Sequence, residues 1–408
     1  MYYLNKLAGR MLVLGCLFLA IPIGADAAVP IEHQSFKEFL ASFYAEAAKK
    51  GITRSTYDRA FADVTEPYAE VLEKAEYQPE FTTKIWDYLD ARVNPRSIDD
   101  GRIMARVYGD LLQQVEAKFG VDTPVILAIW SMETSYGAAL LRTSRLFYVP
   151  RALASLAYAD KRRQKFARSQ LIATLEIVQA GDVSLEQLNG SWAGAMGHTQ
   201  FIPTSFLAYG VDMDGNGRRD IWNSIPDALA TAANLLHKNK WLTGKPWGYE
   251  VRIPKNAAHL KGTTKTISQW HELGFVRPNG EAFEYLQEKA ELKMIGGDNG
   301  PGFLMLRNFF VLKRYNNSDF YALAVGLLAD KLSGKQGLIQ PWPRPPGSLS
   351  VDEKFELQKL LKDKGYYSGG IDGNLGSNTK KGIKVFQKAQ GMVPDGKPTR
   401  DILKALRP

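Results

Sequence analysis

Hydrophobic positions recur at three- and four-residue spacing along most of the chain from Ser35 to about Leu242, the period of an amphipathic helix. Two windows show it clearly: 103–118, through Ile103, Val107, Leu111, Leu112 and Val115, and 225–236. A third segment departs from it, because Val125 to Met132 is apolar on nearly every side, which predicts a helix buried all round. Thr123 reads as its N-cap with Pro124 at the first helical position, and Tyr136-Gly137 closes it. Beyond 242 the runs shorten. Tyr249 to Ile253 and Gly302 to Lys313, the latter with Phe303, Leu304, Phe309, Phe310 and Val311, read as strands. The expected fold is α+β, mainly helical with a minor sheet.

The two ends differ from this body. Lys6 and Arg10 precede an apolar run, Met11 to Gly24, and Ala25-Asp26-Ala27 follows as a small-x-small site. That order predicts a cleaved secretory signal peptide over 1–27 rather than a membrane span, and hence a periplasmic mature chain with no transmembrane segment. Cys16 is the single cysteine; lipoprotein anchoring there is disfavoured because Leu17 to Ile23 stays apolar after it. The mature chain then has no disulfide. At the other end, Ser333 to Gly337 and Pro341 to Gly347 have linker composition, so 28–332 reads as one domain, 333–350 as a proline-stiffened linker and 351–408 as a small helical module. A separable module is expected to leave the chemistry intact when 341–408 is removed, and to weaken only attachment to its polymer.

The formal charge of +9 suits a polyanionic partner: nucleic acid, an anionic membrane surface or an acidic wall polymer. Export and the lack of any nucleic-acid motif disfavour the first. The five histidines show no paired metal-ligand spacing, which disfavours a zinc hydrolase. Glu133 is the candidate for chemistry, since a carboxylate near the end of an apolar helix is costly to ionise and suits a general acid; a glutamate on the solvent face of the helix end is the other reading. Asn189 to Pro203 holds three glycines among small residues, Gly190, Gly194 and Gly197, with Ser191 and Gln200 as neutral groups able to bond a carboxyl or a sugar. A purely structural glycine-rich turn is the other reading. Asp212, Asp214 and Asn216, then Gly217 and the main-chain carbonyl of Arg218, follow the EF-hand calcium pattern, although Asn223 stands where a bidentate glutamate is usual. An Asx-rich turn without metal is the alternative.

Three segments in order carry a resemblance: Met132-Glu133-Thr134-Ser135-Tyr136-Gly137, Gly194 to Pro203, and Tyr315-Asn316-Asn317-Ser318-Asp319-Phe320-Tyr321-Ala322. Together, over roughly 31–330, they resemble the membrane-bound lytic murein transglycosylase B family, with a lysozyme-like fold. The resemblance implies that Glu133 is a single catalytic glutamate, acting on the β-1,4 bond between N-acetylmuramic acid and N-acetylglucosamine and leaving a 1,6-anhydro end. It implies that Ser191 orients that carboxyl, that Gln200, Asn316 and Tyr321 bind substrate in the cleft, and that Asp227 completes a structural calcium site; no cofactor is implied for the chemistry. Residues 351–408 resemble a three-helix peptidoglycan-binding domain, with Asp372-Gly373 and Thr379 echoed by Asp395-Gly396 and Thr399. Its twelve basic residues against seven acidic ones favour an anionic polymer. The partners expected are peptidoglycan glycan strands and, beyond them, cell-wall synthesis proteins. Two rival functions stay open: a muramidase using water at the same bond, and a wall-binding scaffold without activity.

Overall fold

The computed structural model describes residues 34–76 and 83–408. The leader expected at 1–27, Cys16 included, lies outside the described residues. No helix among the described residues is long and apolar enough to cross a membrane.

Six helices come first: α1 (Phe36–Lys49), α2 (Arg54–Phe61), α3 (Ala69–Glu76), α4 (Ile85–Arg92), α5 (Pro95–Val107) and α6 (Gly109–Phe119). They lead into α7 (Thr123–Thr134), in which every residue from Val125 to Met132 is buried, as an all-apolar stretch requires. Its N-cap is Asp122, with Thr123 and Pro124 as the first two helical residues. As the first helical residue, Thr123 presents a free-end N–H of the helix, and the Glu116 carboxylate accepts it (2.8 Å). The Asp122 carboxylate faces elsewhere, to the Trp241 indole N–H (2.8 Å) and the Gly244 N–H (3.1 Å).

The periodic window 103–118 is two helices instead of one. The break falls at Tyr108 (φ −112°, ψ 24°), whose ring meets the edge of Trp130 at 5.6 Å. The break changes the phase of the helix, so Ile103 and Val107 stay exposed while Leu112 and Val115 enter the core.

After α7 the chain forms β1 (Phe147–Tyr148), α8 (Val149–Ala159), α9 (Gln164–Ala180), β2 (Asn189–Gly190), α10 (Pro203–Tyr209) and α11 (Ile225–Lys238). A minor antiparallel sheet then uses β3 (Gly248–Val251), β4 (Thr264–Thr266), β5 (Lys289–Lys293) and β6 (Gly302–Met305) in the order β3-β6-β5-β4, with α12 (Ile267–Glu272) before β5. Glu250 stands opposite Phe303, and Leu292 opposite Leu304. The sheet has its own small core around Trp270 and Phe275. The strand expected over 302–313 stops at Met305, and residues Arg307–Tyr315 are helix α13. Buried Asn308, Phe309, Val311 and Leu312 alternate there with outward Arg307 and Arg314 at helical spacing, which a short apolar run does not distinguish from a strand. Helix α14 (Asp319–Leu332) follows, capped by the Ser318 hydroxyl, and its first turn meets the end of α7.

Residues 338–345 are irregular, as their composition implies, yet they are packed on the body. Glu250 accepts the main-chain N–H of Ile339 (2.9 Å) and of Gln340 (2.7 Å), and the Trp342 ring lies 6.2 Å from that of Phe303. The C-terminal module comprises α15 (Val351–Asp363), α16 (Ser377–Ala389) and α17 (Arg400–Leu406) around Leu357, Leu361, Ile383, Phe386 and Leu406. The internal echo has a structural basis. Buried Gln358 accepts the Asp372 and Gly373 N–H groups and donates to Asp372 Oδ1; buried Gln387 accepts the Gly396 N–H and donates to Asp395 Oδ1. Each Asp-Gly turn is thus tied to a helix by a glutamine, which leaves the turns to shape the module. Gln358→Ala leaves two turn N–H groups unpaired, at a cost of about 2–3 kcal/mol. Amide exchange over 351–406 in the full chain should speed up while α7 stays protected; unchanged exchange in the module would contradict the lock.

Candidate active site

Glu133 sits in the last turn of α7, and that turn ends abruptly. Ser135, Tyr136 and Gly137 all take positive φ (50°, 58° and 89°), an uncommon backbone for the first two. The reversal brings the next segments back over the helix end. The Thr134 hydroxyl donates to the His198 carbonyl (2.7 Å) and accepts the Gly137 N–H (3.1 Å), so the turn and the glycine-rich loop are fastened at the residue beside Glu133.

The loop folds on itself through pairings of Gly190 with Met196 and of Met196 with Phe201. Gly197 is required there: φ is +67°, and a Cβ would run into the Ile221 carbonyl oxygen. Tyr315 pins the other side, its hydroxyl donating to the Thr199 carbonyl (2.6 Å). Its ring stacks on that of Tyr321, with centroids 6.2 Å apart and planes 10° apart. Three segments distant in sequence therefore meet at the end of α7.

The Tyr321 hydroxyl donates to Glu133 Oε1 at 2.6 Å. Burial pushes the Glu133 carboxyl up to about 7, against the opposing pull of the Tyr321 hydrogen bond and the Arg92 guanidinium. The residue keeps some exposed surface, being half-buried as a whole. Burial also holds the Tyr321 hydroxyl well above its ordinary value, so it remains a donor at working pH. Arg92, at the end of α4, donates to the Met132 carbonyl (3.1 Å), one residue from Glu133. No motif in the sequence marks Arg92, and only the packing of α4 against this end of α7 reveals it.

The remaining expected residues are placed as follows. Ser191 does not reach the carboxyl: its oxygen accepts the N–H groups of Ala193 (3.3 Å) and Ala195 (3.0 Å), an arrangement that shapes the loop, and the carboxyl's hydroxyl partner is Tyr321 instead. Gln200 is buried with φ +50°, donates to the Gly197 carbonyl (2.9 Å), and has an Oε1 with no hydrogen-bond partner among the described residues. Such an acceptor is costly to bury unless a donor arrives. Asn316 closes α13 and is half-buried, three residues before the helix that carries Tyr321. His198 accepts the Trp130 indole N–H on Nδ1 (3.3 Å), and burial lowers its pKa, which favours the neutral ring.

The acidic loop forms a separate cluster. One carboxylate oxygen from each of Asp212, Asp214 and Asp227 lies within 4.8 Å of the others. Asp227 is fully buried in the first turn of α11 and accepts the Met213 (2.7 Å) and Asp220 (2.8 Å) N–H groups; burial pushes its pKa up. Asn216 and Arg218 are exposed on the loop, with Asn216 Oδ1 accepting the Arg218 N–H (2.9 Å). Two carboxylates, Asp212 and Asp214, converge on the buried Asp227, and such a set of three hard oxygen donors suits a calcium ion.

Comparison with known proteins places the chain by its sequence and fold. The transglycosylase SLT domain profile matches residues 35–330, and a peptidoglycan-binding domain profile matches 352–406. Membrane-bound lytic murein transglycosylase B of Escherichia coli K12 is 29% identical over 248 residues, 59% of this chain, and the match spans 65% of that protein's length. SltB3 of Pseudomonas aeruginosa, solved in complex with NAG-NAM-pentapeptide, is 41% identical with a TM-score of 0.72, over 92% of this chain and 100% of that one. SltB1 of the same organism is 27% identical with a TM-score of 0.64, over 72% of this chain and 98% of that one. The chain belongs to the lytic transglycosylase family of peptidoglycan-cleaving enzymes and carries a C-terminal peptidoglycan-binding domain.

Proposed function

We propose that this enzyme cleaves the β-1,4 bond from N-acetylmuramic acid to N-acetylglucosamine and closes a 1,6-anhydro ring on the muramic residue, with Glu133 as acid and then base. The observation that carries this is the Glu133 carboxyl itself, bonded to the Tyr321 hydroxyl at 2.6 Å and pushed up to about 7 by burial. Among the described residues, the groups that act on its charge are the Tyr321 hydroxyl and the Arg92 guanidinium. Ordinary glycosidases set two carboxylates across the bond. Here the protonated Glu133 gives its proton to the leaving oxygen, and the substrate's acetamido oxygen assists at the anomeric carbon. The resulting carboxylate then takes the proton of the muramic C6 hydroxyl as that oxygen attacks, which restores the acid and consumes no water. Tyr321 steadies the carboxylate between the two steps, and a raised pKa lets one group serve both. The Gln200 Oε1 is available to a sugar hydroxyl or amide N–H in the cleft.

The same reading makes the basic C-terminal module the attachment to the wall and puts the enzyme in the periplasm. Asp212, Asp214, Asn216, Asp227 and the Arg218 carbonyl would hold a calcium ion that neutralises their charge and fixes the loop before α11; the chemistry does not pass through it.

Three outcomes are expected. Glu133→Gln should lower release of soluble fragments from sacculi by roughly 10²–10⁴-fold while the protein still binds them; activity near the wild-type level would move the acid elsewhere. Tyr321→Phe removes a bond that favours the charged carboxylate, so Glu133 should titrate higher. Since the reaction starts from the protonated acid, the alkaline limb of the kcat profile should move up in pH, with kcat down about tenfold. A limb that stays or moves down would show that Tyr321 does not act on Glu133. Finally, calcium added to chelator-treated protein should raise its melting temperature, and Asp214→Asn should reduce that rise; equal melting with and without calcium would remove the metal.

A further inference from the structure

The linker and the first turn of the C-terminal module both reach the body at Asp90. Asp90 on α4 is 9% exposed, and three cationic bonds close on it from beyond the expected domain boundary. Arg344 binds it with both guanidinium nitrogens (2.8 and 2.6 Å), and Lys354, on the first turn of α15, binds it at 2.6 Å. Lys354 also approaches Asp87 at 4.0 Å. Bidentate, charge-assisted bonds of this kind are the strong ones, and a carboxylate this buried is costly once its partners leave.

The opposite face of the same helix serves the active site. Tyr88 and Arg92, one turn apart, stand across α4 from Asp90. The Tyr88 ring meets that of Phe320 at 5.8 Å, beside Tyr321, and Arg92 holds the Met132 carbonyl. Helix α4 is eight residues long and starts at Lys84 without a side-chain cap, so its position depends on what its two faces touch.

We propose that Asp90 is a positioning residue: the linker and the docked module clamp it through Arg344 and Lys354, and α4 thereby keeps Arg92 and Tyr88 against the Glu133–Tyr321 pair. Wall attachment and cleavage are then coupled, and the enzyme with its module docked is the faster form. This rests on the transglycosylase reading of the Glu133 site. The titratable and charged groups around that carboxyl are Tyr321 from α14 and Arg92 from α4, with Tyr315 and Tyr88 next to Tyr321. Loss of Arg92 from its place removes a positive charge that opposes the effect of burial, so the alkaline limb of the pH profile moves up. On this proposal, removing 341–408 would slow cleavage of short glycans as well, in contrast to the expectation drawn from the sequence.

The test compares the full-length wild type with Asp90→Asn, the double variant Arg344→Gln/Lys354→Gln and the conservative Arg344→Lys, on a short soluble glycan. Asp90→Asn and the double variant should lose roughly three- to tenfold in kcat with KM little changed, and their alkaline limbs should shift up. Arg344→Lys should fall between them and the wild type. Small-angle scattering should show the module released in the double variant. A released module with wild-type kcat and pH profile would overturn the coupling, as would a module that stays docked in the double variant. An inactive wild type would instead defeat the transglycosylase reading. Amide exchange over 85–92 and 130–137 then still decides the clamp: faster exchange in the double variant supports it, and unchanged exchange overturns it.

Discussion

A carboxyl withdrawn from water at the C-terminal end of an apolar helix is the constraint on which the site depends. Burial and the negative end of the α7 dipole both disfavour its charge, whereas the Tyr321 hydroxyl and the Arg92 guanidinium favour it. The balance sits at about 7, where one group gives and retakes a proton at low cost. Moving any of these elements changes that balance. Helix α7 must be apolar all round to bury the group, and it must end right after Glu133 to leave the carboxyl partly exposed.

The surrounding architecture follows from that ending. Three consecutive left-handed residues turn the chain, and Thr134 uses its hydroxyl to tie the glycine-rich loop to the turn. Tyr315 ties the same loop to the α13–α14 junction. The loop is thus held from both sides by side-chain bonds to its own carbonyls, and its glycines are what allow so close an approach. Gln200 emerges from this crowded loop strained and half-satisfied, a pattern found where a site is built for a ligand.

Much of this was legible in the sequence, and what was missed has common physical causes. The apolar run before Glu133, the glycine spacing and the Tyr321 motif pointed to one site, and the family and fold expected from them agree with the comparisons. Local patterns failed where tertiary packing decided. Tyr108 breaks a periodic window because its ring belongs on Trp130, and residues 307–313 coil because their outward positions follow a period of 3.6. Ser191 looked like the carboxyl's partner, but its oxygen serves the turn. Arg92 and Asp90 were invisible, since nothing local marks a residue whose partner lies 40 or 254 positions away in the chain. The proline-rich segment misled in the same way: its composition predicts irregular backbone, and it is irregular, but composition does not say what Trp342 and Arg344 will rest on.

The central claim is a lone carboxyl that serves as acid and base without water, and its most direct test is the product. Purified protein digesting intact sacculi in ¹⁸O-enriched water should release muramic ends that are one water lighter than reducing ends and carry no ¹⁸O. Reducing ends labelled with ¹⁸O would show that water attacks at this site and would contradict the account.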